Sequence, residues 1–498
     1  MGGRRAHYYI KINESVWFMK RFLTSIILSI VFVVSGCDDD KSACNGYVCR
    51  SKVSDRYLET TDGKTYIPIG MNICFPRFLK EEEAVLADYE KKFAQLQKNG
   101  GNWTRIWLSH PFFEIEEKEG VYNLKKLKRI DRIFDLADKY GIRLKLCFEH
   151  FTKLIDEKPM FNFAAAVPFD KRMYHKKYGG SFASLEEFFS SEKGKQVYLN
   201  RVRVFAERYK NRKCVFAWEI WNESDGIWVE DEMKIKWNSE IFAELKKMFP
   251  NHMTVMNLTS YDRPLMLKRY KTMNVDPQND VTQVHNYINE GDSLPIAKSP
   301  TDVMAHQGIV DMLKLTPNKP VLFDEIGAAS PNHVSGPHKG YEIDKNGVFI
   351  LDQTFVPFFS GACGTGMSWH WEYYIQKHNL FYMYSRFNKA IEGLDPIKEN
   401  FKPYFFETEN MRVYVLDGKS TMIAYCRDKN NSWITELKHR QEAKPLLNEK
   451  VSFAKFVPNA EKAEIYQPTT DKSMVVNCEN SNLVLPEFLR ATVVRIKK

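Results

Sequence analysis

The stretch Trp218-Glu219-Ile220-Trp221-Asn222-Glu223-Ser224-Asp225 follows an apolar run at residues 214–217 and ends it in polar and charged side chains. A parallel strand buried on both faces has this form, with continuous hydrophobic residues and then polar ones where the strand leaves the core. Because side chains alternate along a strand, Glu219 and Glu223 point to one side and Asn222 to the other. A carboxyl group beside indoles and an amide has surroundings that raise its pKa, as a general acid near neutral pH requires.

A second carboxylate ends another apolar run, Pro320–Gly327, at Glu325. Between Glu223 and Glu325 the sequence has room for about three βα units of roughly 30 residues each. From residue 65 onward, short apolar runs alternate with amphipathic helical stretches, which indicates βαβ units and a parallel sheet. Besides the run that ends at Glu223, the predicted strands lie at residues 66–72, 103–108, 142–148, 253–257, 281–285, 321–324 and 364–369. Eight such strands predict a (β/α)8 barrel over residues 55–404.

The pattern changes after about residue 405 to short alternating strands with turn signals between them, which predicts an all-β sandwich over 405–498. This domain could bind carbohydrate or buttress the barrel. The buttress is favoured, because Trp433 is its one candidate for an exposed aromatic platform.

The Trp-Asn-Glu that closes one strand and the Glu-Ile-Gly that closes a later one resemble the retaining glycoside hydrolases of the large TIM-barrel clan. Cellulases and β-mannanases of family 5 belong to this clan. The resemblance covers roughly residues 55–400 and implies the same (β/α)8 fold. It also implies that Glu223, at the end of strand 4, is the acid/base and that Glu325, at the end of strand 7, is the nucleophile.

The resemblance extends to residues that would contact the sugar or support the nucleophile. Arg105 matches an Arg that supports the nucleophile, although a surface ion pair is the alternative. His285 matches a His two residues before a Tyr that bonds the nucleophile, although it could be a core histidine. Glu149 stands where the family commonly has a His, which weakens assignment to the central cellulase group. The implied substrate-binding residues are Arg105, His150, Asn222, His285, Tyr287, Trp369 and Trp371.

The expected activity is retaining cleavage of a β-linked polysaccharide or oligosaccharide, with endo-β-1,4-mannan as the favoured substrate. A β-glucanase or β-galactosidase-like activity stays open, as does a non-catalytic glycan-binding protein on the same barrel. Loss of a catalytic carboxylate would indicate the non-catalytic protein, and both carboxylates are present. No Cys/His spacing suggests zinc, so we expect no metal and no cofactor.

The first 37 residues read as a processing segment. Met19-Lys20-Arg21 precedes an apolar run, and Val34-Ser35-Gly36-Cys37 resembles a bacterial lipobox with Cys37 as the lipidated residue. We therefore expect a signal peptide over 1–37, a tether over 38–54 and a membrane-anchored lipoprotein. The acidic residues 38–40 resemble a surface-export signal of some Gram-negative bacteria, and this resemblance favours the outer cell surface, with the periplasm as the alternative. Removing residues 1–36 lowers the formal charge from +9 to +5, and no basic block remains to indicate nucleic-acid binding.

Overall fold

The computed structural model describes residues 9–11, 43–150, 173–260, 264–331 and 336–498. The predicted lipobox and its Cys37 lie outside these ranges. None of the helices in the described ranges combines the length and the apolar character that a membrane span requires.

The strands and helices alternate through most of the described chain. In chain order the strands are β1 (Tyr9–Lys11), β2 (Val48–Arg50), β3 (Leu58–Thr60), β4 (Thr65–Tyr66), β5 (Trp103–Trp107), β6 (Glu116–Lys118), β7 (Val121–Asn123), β8 (Arg143–His150), β9 (Val215–Asn222), β10 (Met253–Val255), β11 (Thr282–Ile288), β12 (Val321–Ala328), β13 (Lys402–Glu407), β14 (Met411–Asp417), β15 (Thr421–Asp428), β16 (Lys450–Ser452), β17 (Lys462–Gln467), β18 (Lys472–Asn477), β19 (Asn482–Val484) and β20 (Ala491–Lys497). The α-helices are α1 (Glu82–Lys98), α2 (Leu124–Tyr140), α3 (Leu185–Ser190), α4 (Glu192–Tyr209), α5 (Asp231–Met248), α6 (Pro264–Met273), α7 (Thr301–Leu315), α8 (Val348–Phe359), α9 (Tyr382–Ala390) and α10 (Pro396–Glu399).

The parallel strands form the predicted barrel. β5, β8, β9 and β10 lie side by side, and β11 pairs with β12. Single bridges complete the ring, because Gly70 pairs with Trp103 of β5 and Ser368 pairs with both Met71 and Ile326 of β12. A main-chain hydrogen bond of 2.9 Å joins β10 to the segment before β11. The (β/α)8 fold is thereby confirmed.

The first barrel strand differs from its prediction. Residues 66–72 do not form one strand, because β4 pairs antiparallel with β3 and only Gly70 and Met71 take barrel positions. Pro68 lies between the two parts, and a proline has no N–H to give to a sheet. The chain therefore turns from an outer hairpin into the barrel.

The predicted tether is wrong for residues 43–54, which pack against the barrel. β2 pairs with β3, and the guanidinium of Arg143 donates to the carbonyls of Asn45 (2.7 Å) and Gly46 (2.8 Å). Arg143 is the first residue of β8, so these contacts hold the segment at the end of the barrel opposite Glu223. Only residues 38–42 of the proposed tether lie outside the described ranges.

The C-terminal all-β domain is confirmed, and it begins slightly earlier than predicted, at Lys402. Six antiparallel strands form one sheet in the order β13-β14-β15-β20-β17-β18, and β16 pairs with β19. Both faces of its central strands β14 and β15 are buried. Val413 and Val415 of β14 pack into the outer core with the β16–β19 pair, while Tyr414 and Leu416 join the core of the barrel.

Trp433 is not the exposed platform that the sequence suggested. It is buried, with 2% of its surface exposed, and its indole N–H donates to the Ser299 carbonyl at 2.9 Å. Trp433 therefore contacts the barrel, not solvent, and the buttress interpretation keeps its support.

Candidate active site

Glu223 and Glu325 lie at the same end of the barrel. Glu223 directly follows β9 and has a left-handed backbone, with φ at 54°. Its N–H donates to the side-chain oxygen of Asn257 at 2.7 Å, which holds this uncommon conformation. Glu325 lies within β12, and its partner in the neighbouring strand β11 is His285.

The two carboxyl groups face each other across a short gap. One oxygen of Glu223, one oxygen of Glu325 and a ring nitrogen of His285 all lie within 4.8 Å of one another. This is the separation at which one carboxylate can attack an atom while the other exchanges a proton with the departing group.

Two donors orient the carboxylate of Glu325. Arg105 Nη1 donates to Oε1 at 2.5 Å, and the Tyr287 hydroxyl donates to Oε2 at 2.5 Å. Arg105 is fully buried, so the alternative of a surface ion pair is wrong. The ion pair with Arg105 and the hydrogen bond from the Tyr287 hydroxyl hold the Glu325 carboxylate in one orientation beside Glu223.

Glu223 has different surroundings. Burial raises its pKa to about 7, and the nearby charge of Glu325 adds to this effect. His285 Nδ1, 3.0 Å from Glu223 Oε1, opposes the rise through its hydrogen bond. A carboxyl group with this pKa is protonated in a large fraction of molecules at neutral pH, as a general acid must be.

His285 connects the pair to a third carboxylate. Its Nε2 lies 3.2 Å from Asp324 Oδ2, and its Nδ1 lies 3.5 Å from Glu325 Oε2. Burial alone would lower the pKa of His285, but Glu325, Asp324 and Glu223 outweigh it and raise that pKa to about 9. The ring is therefore a positively charged imidazolium that lies close to all three carboxylates, and not a neutral core histidine.

Arg105 also binds the layer beneath the pair. Its Nε and Nη2 donate to the two oxygens of Glu219 at 2.8 and 2.6 Å, and Nη2 donates to the Asn222 side-chain oxygen at 2.6 Å. Glu219 is fully buried in this layer. The guanidinium thus holds Asn222 and Glu325 in a fixed relation.

Sequence reasoning missed two residues of this network. Lys145 donates to Asp324 and lies 3.2 Å from Glu219, and Asn257 donates to Glu219 and, at 2.8 Å, to Asp324. Lys145 interrupts the apolar run of β8, and Asn257 follows β10. A charged or amide side chain in or directly after a buried strand is the signal that could have found them.

The aromatic side chains predicted to bind sugar separate into two groups. Trp369 is partly exposed, and its ring lies 5.2 Å from that of Trp107, which in turn contacts His150 at 4.3 Å. Trp371 is fully buried, with the guanidinium of Arg77 4.4 Å from its ring centre. The expected contact of Trp371 with substrate is therefore wrong, because its neighbours cover it completely.

Glu223, His285 and Glu325 are also the group that could ligate a metal ion among the described residues. The raised pKa of His285 keeps its ring protonated near neutral pH, and a protonated imidazole has no lone pair for a metal.

The chain is similar in sequence to mannanases of fungi and plants. It is 27% identical over 210 residues to a probable mannan endo-1,4-beta-mannosidase F of Aspergillus flavus, covering 39% of this chain and 41% of that protein. It is 24% identical over 344 residues to mannan endo-1,4-beta-mannosidase 4 of Solanum lycopersicum, covering 62% and 80%. The chain thus spans about two fifths of the first relative's length. No family model matches the chain.

Solved structures are similar over nearly the whole chain. A glycoside hydrolase has a TM-score of 0.60 at 13% identity, covering 91% of this chain and 97% of that one. A glycoside hydrolase family 5 protein of Bacteroides vulgatus has a TM-score of 0.60 at 11% identity, covering 91% and 94%. The chain therefore has the fold of these glycoside hydrolases.

Proposed function

We propose that the protein is a retaining glycoside hydrolase that cleaves β-linked polysaccharide or oligosaccharide. The observation that carries this proposal is the approach of Glu223 and Glu325, with oxygens within 4.8 Å. Retaining enzymes hold their carboxyl groups about 5–5.5 Å apart, whereas inverting enzymes need about 6.5–9.5 Å to admit a water.

The first step forms a covalent intermediate. Glu325 attacks the anomeric carbon as a carboxylate, and the bond from that carbon to the leaving oxygen breaks. Glu223, whose pKa of about 7 leaves it a proton to give, protonates the leaving oxygen. Arg105 and Tyr287 hold Glu325 in line for the attack.

The second step releases the sugar. Glu223, now a carboxylate, takes a proton from water, and the water oxygen attacks the anomeric carbon. The bond between that carbon and Glu325 breaks, so the product has the β configuration of the substrate. Protonated Glu223 and free Glu325 are regenerated.

The favoured substrate is β-1,4-mannan, cut at internal bonds. Support comes from the relatives, which carry the name mannan endo-1,4-beta-mannosidase and align with up to 62% of this chain. The test is a panel of mannan, β-glucan and β-galactoside oligosaccharides with products resolved by size and anomer. Faster cleavage of glucan or galactan would overturn the choice of substrate, and binding without cleavage would favour the non-catalytic alternative.

Variants of the two glutamates test which one is the acid/base and which one is the nucleophile. Glu325→Ala should abolish turnover of every substrate, because no other group attacks. Glu223→Ala should lose about 10²–10⁴-fold on a natural glycoside and much less on an activated aryl glycoside in the glycosylation step, since a good leaving group needs no proton. Glu207→Ala is the control, because this carboxylate is exposed near the end of α4, at the far end of the barrel.

Azide then identifies each carboxylate by the anomer it produces. With Glu223→Ala, azide should attack the intermediate and give a β-glycosyl azide. With Glu325→Ala, azide should replace the missing nucleophile and give the α anomer. The opposite assignment of anomers would show that acid/base and nucleophile are exchanged.

We also propose that Cys37 carries a lipid that anchors the protein to a bacterial outer membrane, at the cell surface or facing the periplasm. The support is the lipobox-like Val34-Ser35-Gly36-Cys37 after an apolar run. Cys37→Ala should release the protein from the membrane fraction with its activity intact. Retention in that fraction would contradict the lipid anchor.

A further inference from the structure

The loop after Glu223 carries an exposed tryptophan that the mechanism does not use. Trp228 has 55% of its surface exposed, whereas the other tryptophans of the described ranges are buried or partly buried. Burial of an indole gains a large free energy, which an exposed indole does not gain. An exposed tryptophan is therefore a stronger sign of a binding role than an exposed leucine.

The base of this loop is firmly held. The Asp225 carboxylate accepts from the N–H and hydroxyl of Thr259 at 2.8 and 2.7 Å, and the Asp225 carbonyl accepts from Arg269 at 3.0 Å. Buried Lys234 donates to the carbonyls of Asp225 (3.3 Å) and Ile227 (3.0 Å). These bonds fasten the loop to the segment after β10 and to α5 and α6.

The loop presents Trp228 at the tip of a tight turn. Ile227 is buried, and the Val229 N–H donates back to the Ile227 carbonyl at 3.0 Å, so Trp228 is the central residue of a three-residue turn. Its backbone is therefore fixed while its ring stays exposed. An indole has only two side-chain torsions to order, so the conformational entropy lost when a ligand covers it is small.

The position of Trp228 relative to Glu223 determines which part of a substrate it could meet. Glu223 gives its proton to the leaving oxygen, so the leaving sugar lies beside Glu223. Trp228 follows Glu223 by five residues on a loop that starts at that carboxylate. The flat apolar face of an indole matches the C–H face of a pyranose ring.

We infer that Trp228 is a stacking platform for a sugar on the leaving-group side of the cleaved bond, and so a residue that sets preference for long substrates. The inference rests on the proposed function and deepens it. A platform on that side also retains acceptor sugars. In that transfer the acceptor hydroxyl attacks the anomeric carbon, its proton goes to Glu223, and the bond to Glu325 breaks.

The test compares substrates that do and do not reach Trp228. For Trp228→Ala, kcat/KM on mannohexaose should fall about tenfold more than on β-mannobiosyl fluoride, whose leaving group is a single atom that cannot stack on the indole; this is the loss expected of one apolar contact. The ratio of transfer to mannotriose over hydrolysis should fall with it. Trp228→Phe should restore most of both. Val475→Ala, an exposed apolar residue on β18, should change neither.

Each outcome decides the inference. An equal loss on both substrates would mean that Trp228 supports the loop only, and no loss on either would mean that sugar does not reach it. Both results overturn the platform while leaving the proposed function in place. If the unchanged enzyme cleaves neither substrate, the proposed function fails and the platform with it.

Discussion

At the scale of single residues, His285 carries the electrostatics of the site. Its ring is placed between Glu223, Glu325 and Asp324, and these carboxylates raise its pKa to about 9. An imidazolium so placed lets three buried carboxylates lie close together without adding three uncompensated negative charges.

A pH profile tests this arrangement. Because Glu223 must be protonated to act as acid, kcat/KM should fall as the pH rises through its pKa of about 7. The hydrogen bond from His285 lowers that pKa, so His285→Ala should move the falling limb to higher pH by about one unit, the size of a lost charge-assisted hydrogen bond. The measurement is kcat/KM against pH on an oligosaccharide.

The control for this profile is His306→Ala. His306 lies on α7, where burial lowers its pKa to about 4, and it contacts Phe405 of the C-terminal sheet. This variant should leave the limb in place. If the falling limb of kcat/KM does not move in His285→Ala, or moves to lower pH, His285 does not lower the pKa of Glu223.

At this scale, sequence alone predicted Glu223, Glu325, Arg105, Asn222 and Tyr287 as site residues, and the structure brings all five together. It could not predict that Trp371 is buried, because burial of a side chain by its neighbours is set by packing. Nor could it select Lys145 or Asn257, whose partners lie on other strands.

At the scale of elements, the first barrel segment packs closely against its neighbours on both sides, β5 and the last barrel segment. A Cβ added to Gly70 would lie 2.0 Å from the Trp103 carbonyl oxygen, and one added to Gly364 would lie 2.3 Å from the Pro68 carbonyl oxygen. Both neighbours are backbone atoms that cannot rotate away. These glycines let single bridges close the ring.

Gly70→Ala should therefore be costly. We expect it to lower the free energy of unfolding by about 3 kcal/mol, the upper part of the range for overpacking, measured by chemical denaturation. It should also lower kcat, because Asn72, two residues on, donates to the carbonyls of Asp324 and Met367 next to the site. Gly63→Ala is the control: no atom lies within 4 Å of its added Cβ, and only its left-handed φ of 83° is strained. Equal costs for the two would contradict the steric account.

Element prediction succeeded where the pattern was long and regular. α2 follows Asn123, whose side chain caps it, and ends at Gly141 in a left-handed conformation. Its apolar residues Leu127, Ile130, Phe134 and Ala137 recur at helical spacing in the sequence, and all four are buried. It failed at residues 66–72, because an apolar run with a proline and a glycine does not show that the chain changes partner within it.

At the scale of the whole molecule, the C-terminal sheet is joined to the barrel through buried charges. Asp302 of α7 accepts from Arg412 and, at 2.9 Å, from Tyr414. Asp352 of α8 accepts from Arg427 at 2.8 Å and from Tyr425 at 3.0 Å. Each pair joins residues far apart in the chain, so no local pattern in the sequence predicts it.

α8 explains why the sheet is needed. Every residue of this helix is buried, with apolar side chains on all sides, which is the form of a helix enclosed between two layers. One side meets the barrel, and the other meets β14 and β15, where the ring of Phe355 lies 5.3 Å from that of Tyr425. Without the sheet, this face would lie in water.

The barrel and the sheet should consequently unfold as one unit, and Arg427→Met should weaken both. The substitution leaves Asp352 buried with only Tyr425 as a side-chain donor, and removal of one partner from a buried ion pair costs about 3–5 kcal/mol. Denaturation followed by tryptophan fluorescence and by far-UV circular dichroism should give one coincident transition in both proteins, shifted to lower denaturant in Arg427→Met. Lys472→Met, on the exposed edge strand β18, should shift it little. Two separate transitions in the unchanged protein would show that the sheet and the barrel unfold independently. In that case the loss of the contact with Asp352 would leave the barrel intact.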